Sequence, residues 1–237
     1  MMRDAGHQVS GSDAEVFPPM STYVEGLGFP FARRFAAANL PADLDLLVLC
    51  PSAKLGGEDN AEVAEARRRG VAVTTFPELV GRTTEARRNT VVAGSFGKST
   101  CSALMAHVLL EAGRDPGWMV GAISPSLAAT GHWGQAREVV LEGDEYIVAP
   151  ADRRSKFLLY HPKALILSSL VHDHFNVFPT MADYEAPFAK LIAGLPADAL
   201  IVCARGYEPI ERLTEGRVVV WYGVGEGPGY SAVDIEI

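Results

Sequence analysis

The sequence predicts an α/β protein in two parts, each built on a mostly parallel sheet, and three observations predict it. Short β-branched or apolar runs alternate with helix-like segments along the chain, the pattern of strands with covering helices. One such run, Val91-Val92-Ala93, opens into a loop closing on Gly97-Lys98-Ser99-Thr100 and then an apolar-periodic segment from Cys101 to Leu110. That is the order of strand, tight turn and helix N-terminus. Two further runs end in polar clusters at 142–145 and 172–174. Ligands bind outside the carboxyl ends of strands in open parallel sheets, so these clusters are expected beside the loop.

Taken in order, Met1 to Ala5 followed by Gly6 reads as the end of a helix rather than a start. Gln8 to Asp13 reads as a strand running into a polar corner, and Leu44 to Cys50 as a buried strand closed by Pro51. Asn60 to Arg69 is a helix ended by Gly70, with Arg67-Arg68-Arg69 complementing its dipole, and Val71 to Thr75 is a second buried strand. The charged stretch Gly81 to Asn89 reads as a linker, and the second part starts with a strand at Thr90. The boundary is therefore placed between residues 85 and 86. Beyond the Gly113/Pro116 stop come a short strand at Trp118–Gly121, a loop from Ser124 to Gly134 and a strand at Glu138–Leu141. Lys163–Leu170 is a buried strand, Ala182–Gly194 a helix, and Ala199–Cys203 and Val218–Tyr222 strands, with one more beginning in Val233–Ile237.

A chain of 237 residues with 48% hydrophobic content can bury real cores. Its net charge of -8 argues against broad nucleic-acid binding, which needs clustered Lys and Arg. Three scattered cysteines without a CxxC pair fit a reducing compartment. The first residues lack an apolar signal core and the longest apolar runs are too short to span a bilayer, so the expected location is the cytoplasm, without membrane contact.

The chemistry rests on residues 94–100. Backbone N–H groups at a helix start favour an anion, and glycines let the main chain approach it closely. Gly94, Ser95, Gly97, Lys98, Ser99 and Thr100 form the candidate phosphate cradle, with Lys98 reaching the outer phosphates and the Ser99 hydroxyl holding Mg2+. Val92 stands where the longer form of the motif has its first glycine. Mg2+ prefers hard oxygen ligands shared with phosphates, which makes Ser99, Glu142 and a triphosphate a chemically sensible set. His172 and His174 end another buried run.

Ala93 to Thr100, Glu142-Gly143-Asp144-Glu145-Tyr146 and Asp173-His174, in this order and at these distances, resemble the ATP-dependent Mur ligases of peptidoglycan metabolism. Gly11 to Thr22 and Asp152 to Phe157 resemble in particular the members that act on peptide substrates in cell-wall recycling. The resemblance implies an incomplete Rossmann-like, UDP-sugar-binding domain at 1–85 and a P-loop NTPase-type ATP-binding domain at 86–237, with the family's C-terminal domain absent. It implies an ATP-dependent amide-bond ligase that forms an acyl phosphate on UDP-N-acetylmuramate. Lys98, Glu142 and His174 would be its catalytic residues, and Ser99, Glu142 and His174 its metal ligands. The peptide amine would need the third domain, so this chain alone is expected not to turn over. Phe96 and Pro150-Ala151 depart from the family pattern, as do Val171 and Asn176, and these last two together with the absent third domain motivate a second reading, a nucleotide-binding protein without catalysis. Lys98→Ala is expected to abolish nucleotide binding and leave the fold intact.

Overall fold

The computed structural model describes residues 1–50, 60–149 and 151–236. Pro51, Pro150 and Ile237, to which the sequence reading assigned roles, lie outside the described residues.

In the first part the strands pair in parallel, as expected, but as two separate pairs. β1 (Gly11–Ser12) pairs with β2 (Phe31–Ala32), and α1 (Met20–Gly26) lies between them. β3 (Leu46–Leu49) pairs with β4 (Ala72–Thr75) around α2 (Ala61–Arg69). The strand expected to be buried, β3, is only half-buried along its length, because its sheet has two strands and one edge partner. Helix α2 begins and ends as its capping residues dictate. Asn60 Oδ1 accepts from the amides of Glu62 (2.9 Å) and Val63 (3.4 Å), and Gly70 closes the helix in the left-handed region at φ 71°. Arg68 and Arg69 in its last turn also bond Glu65.

The stretch read as a linker is instead α3 (Phe76–Thr84) followed by the start of a strand. Its polar residues are used internally. Thr75 and Glu78 form a reciprocal capping box at the helix start. Asn89 is fully buried and donates to Thr84 Oγ1 (2.9 Å) and the Tyr160 carbonyl (2.7 Å). Gly81 marks close packing rather than a break, since a Cβ there would lie 2.0 Å from the Leu159 carbonyl oxygen. Gly81→Ala is therefore expected to destabilise the chain by about 2–3 kcal/mol, a fall of roughly 5–10 °C in Tm, read by thermal unfolding. A Tm within a degree of wild type would show that α3 can shift away without cost.

The second part is one eight-stranded sheet in the order β14-β13-β12-β11-β5-β8-β6-β7. Its members are β5 (Arg88–Ala93), β6 (Gly117–Met119), β7 (Gly131–His132), β8 (Glu138–Gly143), β11 (Ala164–Leu167), β12 (Leu200–Ala204), β13 (Val219–Val224) and β14 (Tyr230–Ala232). All neighbours are parallel except β7, which runs back along β6 inside the segment read as a loop. A small antiparallel pair, β9 (Ile147–Ala149) and β10 (Asp152–Ser155), lies between β8 and β11 in sequence. The last strand forms at Tyr230–Ala232 rather than beyond Val233, because Arg205 gathers the preceding turn by donating to the carbonyls of Gly225 and Pro228, each at 2.7 Å.

Period-two alternation on β5 splits the core between two layers. Val92 faces Ala106 of α4 (Lys98–Glu111) together with Trp118 and Val140. Val91 and Ala93 face the other layer, which includes Tyr184, Phe188 and Leu191 of α5 (Met181–Ala193) and Ile210 of α6 (Glu208–Leu213). Val92 pairs with Glu142 and Ala93 with Gly143, while Leu167 pairs with Ala93 on the other side. The carboxyl ends of β8, β5 and β11 thus stand side by side, which brings residues 94–100, 142–145 and 168–174 to one edge.

Candidate functional site

The loop between β5 and α4 has the backbone its glycines permit. Gly94 adopts φ 137° and Gly97 φ 81°, and a Cβ on Gly94 would meet Ser168 Oγ at 2.6 Å and the Ser169 carbonyl oxygen at 2.7 Å. Among the described residues no side chain caps the start of α4, so its first turn presents its dipole to the loop mouth. Behind the loop the expected strand stops at Leu167, and Ser168–Val171 wraps the turn instead. The Phe96 amide donates to Ser169 Oγ (2.7 Å), and Ser95 Oγ donates to the Val171 carbonyl (2.6 Å) while accepting from the Val171 amide (2.7 Å). Ser95 therefore faces inward through its side chain. Thr100 is exposed in the first turn of α4, and so is the ring of Phe96 in the loop.

Two groups form at the mouth. In the first, Ser99 Oγ donates to Glu142 Oε1 (2.8 Å), and the Gly121 amide donates to Glu142 Oε2 (2.6 Å). The second centres on Glu145, whose side chain is 0% exposed. Lys98 Nζ lies 3.2 Å from its Oε1 and 3.0 Å from its Oε2, and also donates to the carbonyls of Gly94 (2.7 Å) and Ser95 (3.2 Å). Among the described residues Glu145 Oε2 has the ion pair but no hydrogen bond. His174 Nε2 stands 3.2 Å from Glu145 Oε1. Burial pushes the Glu145 carboxyl above its ordinary value, and the Lys98 ammonium pulls it back. Ligand atoms of Glu145, Asp173 and His174 lie within 4.8 Å of one another.

The residues selected from the sequence thus meet in part as expected. Ser99 and Glu142 come together, and Lys98 and His174 converge on Glu145, which the sequence places in the polar cluster at 142–145 without a role of its own. Asp144 is engaged elsewhere, in an ion pair with Lys156 at 2.5 Å. His172 has a structural role, bonding the Phe178 carbonyl (2.8 Å). Arg154 is held by Asp152 and Arg153 by the Val177 carbonyl. Tyr184, buried on α5, reaches both Ser95 Oγ (3.0 Å) and Glu145 Oε1 (3.3 Å), and no local pattern marks it in the sequence. Glu142 and Asp144 also border a cavity of about 780 Å3 that extends to Tyr23, Phe29 and Phe76 in the first part. Tyr23 ties its wall to the sheet by accepting from the Thr130 amide (2.8 Å).

The donor set fits a magnesium nucleotide. A hydroxyl and a carboxylate supply hard oxygens at the start of an uncapped helix, and a lysine sits at the same mouth. Among the described residues no helix is long and apolar enough to cross a membrane.

Residues 92–231 match the Mur ligase middle domain, and residues 1–88 match the Mur ligase family, catalytic domain. The chain is 31% identical over 203 residues to the UDP-N-acetylmuramate–L-alanyl-gamma-D-glutamyl-meso-2,6-diaminoheptandioate ligase of Escherichia coli, covering 85% of this chain and 44% of that protein. It is 35% identical over 193 residues to the UDP-N-acetylmuramate–L-alanine ligase of Treponema pallidum, covering 81% of this chain and 38% of the relative. The chain therefore spans less than half the length of these curated relatives. Among solved structures, the UDP-N-acetylmuramate:L-alanyl-gamma-D-glutamyl-meso-diaminopimelate ligase from Neisseria meningitides superposes with a TM-score of 0.82 at 28% identity, over 94% of this chain and 72% of that one. The UDP-N-acetylmuramate-alanine ligase from Thermotoga maritima gives 0.77 at 26% identity, over 95% and 49%.

Proposed function

The chain belongs to the Mur ligase family, and from that premise we propose that residues 94–100 bind Mg-ATP for amide-bond formation. The full activity proposed is that of an ATP-dependent ligase of peptidoglycan synthesis or recycling in the cytoplasm. The carboxylate oxygen of a UDP-N-acetylmuramate substrate takes the γ-phosphoryl group as ADP leaves. An incoming peptide amine then displaces phosphate from the acyl phosphate. The observation that carries the reading is the meeting of Ser99 and Glu142 at the start of α4, beside Lys98.

In this reading the backbone of Gly94 to Thr100 cradles the phosphates, and Lys98 turns from Gly94 and Glu145 to meet their outer oxygens. Ser99 and Glu142 hold Mg2+, and His174 stands at a second metal position with Glu145 and Asp173 as its neighbours. Bound Mg2+ neutralises charge on the phosphate oxygens. Glu142 has a further duty, since it borders the 780 Å3 cavity as well as Ser99 and can position metal and carboxylate substrate from one side chain. The first part of the chain, residues 1–85, supplies the far wall of that cavity and is the proposed UDP-sugar-binding domain.

Calorimetric titration with Mg2+ and a non-hydrolysable ATP analogue tests the cradle. Saturable binding is expected, falling about tenfold or more when EDTA removes the metal, and Glu142→Gln is expected to behave with metal as the wild type does without it. Equal magnesium dependence in Glu142→Gln would remove Glu142 from the metal site. A second reading, nucleotide binding without catalysis, is favoured by Val171 and Asn176. ADP release with substrates and the relatives' C-terminal portion supplied in trans would exclude it.

A further inference from the structure

We infer that Tyr184 is a positioning residue of the cradle, its phenol hydroxyl fastening the glycine loop to the carboxylate that holds Lys98. The inference rests on the reading of residues 94–100 as a nucleotide cradle. Tyr184 lies 89 residues beyond Ser95 in sequence and 0% of it is exposed. Its ring is fixed by Phe178 and Phe188, each with centroids 5.4 Å away, and by His172 at 5.9 Å. Such packing leaves the hydroxyl little freedom except at the place where it is found.

The hydrogen-bond inventory shows what the hydroxyl supplies. A serine hydroxyl has one proton and two lone pairs. The Ser95 proton goes to the Val171 carbonyl, and one lone pair takes the Val171 amide, so Tyr184 fills the remaining lone pair at 3.0 Å. Glu145 Oε1 is 3.3 Å from the same phenol oxygen, so the single phenol proton is shared between Ser95 Oγ and this carboxylate oxygen, on the side where Lys98 and His174 also approach. Burial and the neighbouring Glu145 carboxylate push the phenol well above its ordinary range, so it remains a donor. One hydroxyl therefore joins three parts of the site: the loop through Ser95, the 168–174 segment through the Ser95–Val171 pair, and the Lys98 and His174 cluster through Glu145. Tyr184 reaches no ligand itself, because it lies behind the loop and is closed off from the mouth.

Tyr184→Phe keeps the ring packing and removes only this fastening. Amide hydrogen exchange of the ligand-free protein should quicken about three- to tenfold at Ser95, Phe96 and Val171, with Tm lower by only about 2–4 °C and exchange in β12 quickened less than at these three amides. The dissociation constant for the magnesium ATP analogue should rise by a similar factor. Ser95→Ala, which also removes the acceptor of the Val171 amide, should show both changes at least as strongly, and adding Tyr184→Phe to it should add little, as expected of two residues in one contact. Unchanged exchange at the three amides would overturn the inference, as would acceleration spread evenly over α5 and the sheet, which would mark Tyr184 as packing alone. A wild-type protein that does not bind the analogue would refute the nucleotide reading, while the exchange comparison would still decide the role of Tyr184.

Discussion

Lys98→Ala is expected to weaken Mg-nucleotide binding at least about a hundredfold and also to destabilise the ligand-free protein by about 3 kcal/mol at neutral pH. The first effect follows from removing the cation proposed to meet the outer phosphates. The second departs from what the sequence alone suggested, a variant with its fold intact, and it follows from Glu145. That carboxylate is 0% exposed, and Lys98, 16% exposed, is its charge partner at 3.0 Å. Taking away one member of a buried pair leaves the other charge in a poorly solvated place.

The sign of the pH dependence separates the two effects. The folded-state value of Glu145 lies above its ordinary 4.5, because burial outweighs Lys98. A carboxyl raised on folding contributes its stability below the unfolded value and loses it as pH rises through the folded value. Without Lys98 the main lowering influence disappears and the folded value rises further, so the loss grows over a wider window. Lys98→Ala should therefore approach wild-type Tm at acid pH and fall away from it as pH rises. Lys98→Ala/Glu145→Gln, which has no buried charge, should recover most of the lost Tm at neutral pH without recovering nucleotide binding. Thermal unfolding across that pH range checks the first statement, and calorimetry of the double variant the second. A pH-independent deficit in Lys98→Ala would mean that the pair carries no buried-charge cost.

What was legible in the sequence follows the range of the interactions concerned. Helix α2 could be read because Asn60 and Gly70 set its two ends within the segment itself. The strand–loop–helix unit at 88–111 was legible for the same reason, since strand, glycine loop and helix start are contiguous. Helix α3 was misread although its capping box is local, because the charges from Arg82 to Arg88 suggested solvent while Asn89 and Gly81 were in fact committed to Tyr160 and Leu159. The edge strand β7 holds only two residues and depends on β6, so its own composition says nothing.

Ser99, Glu142 and His174 could be placed at one sheet edge from the sequence because each lies at or just beyond the carboxyl end of a strand of the central sheet. Glu145 was passed over as the key carboxylate because what distinguishes it from Asp144 is burial among partners 47 residues before it and 39 after it, Lys98 and Tyr184. Nothing in a helix sequence reports that a tyrosine on it ends beneath a loop 89 residues upstream. Pairings made only by tertiary closure are invisible to periodicity, and much of this site's electrostatics is of that kind.

Gly94→Ala and Gly97→Ala should have unequal consequences, and the inequality tests whether the loop must lie as close to the 168–169 backbone as it does. Both positions have positive φ, 137° and 81° respectively, so alanine is strained by about 1–2 kcal/mol at Gly97 and at least that much at Gly94, whose φ lies beyond the left-handed region. At Gly97 that is the whole effect, since the nearest atoms to a new Cβ are those of the Ser168 side chain, at 3.6 and 3.7 Å, an ordinary contact. At Gly94 the methyl would lie 2.7 Å from the Ser169 carbonyl oxygen and 2.9 Å from its amide nitrogen. Those are backbone atoms, held there by the Phe96 amide on Ser169 Oγ and the Ser95–Val171 pair. The loop can accept the methyl only by breaking the contacts that shape it. Gly94→Ala is thus expected to lose about 3 kcal/mol or more of stability and essentially all Mg-nucleotide binding. Gly97→Ala should keep measurable binding and lose only about 1–2 kcal/mol. Chemical denaturation and calorimetry on the two variants measure this difference directly. If Gly94→Ala binds as well as Gly97→Ala, the loop does not need its close approach to the 168–169 segment, and the cradle is held by the helix start and Lys98 alone.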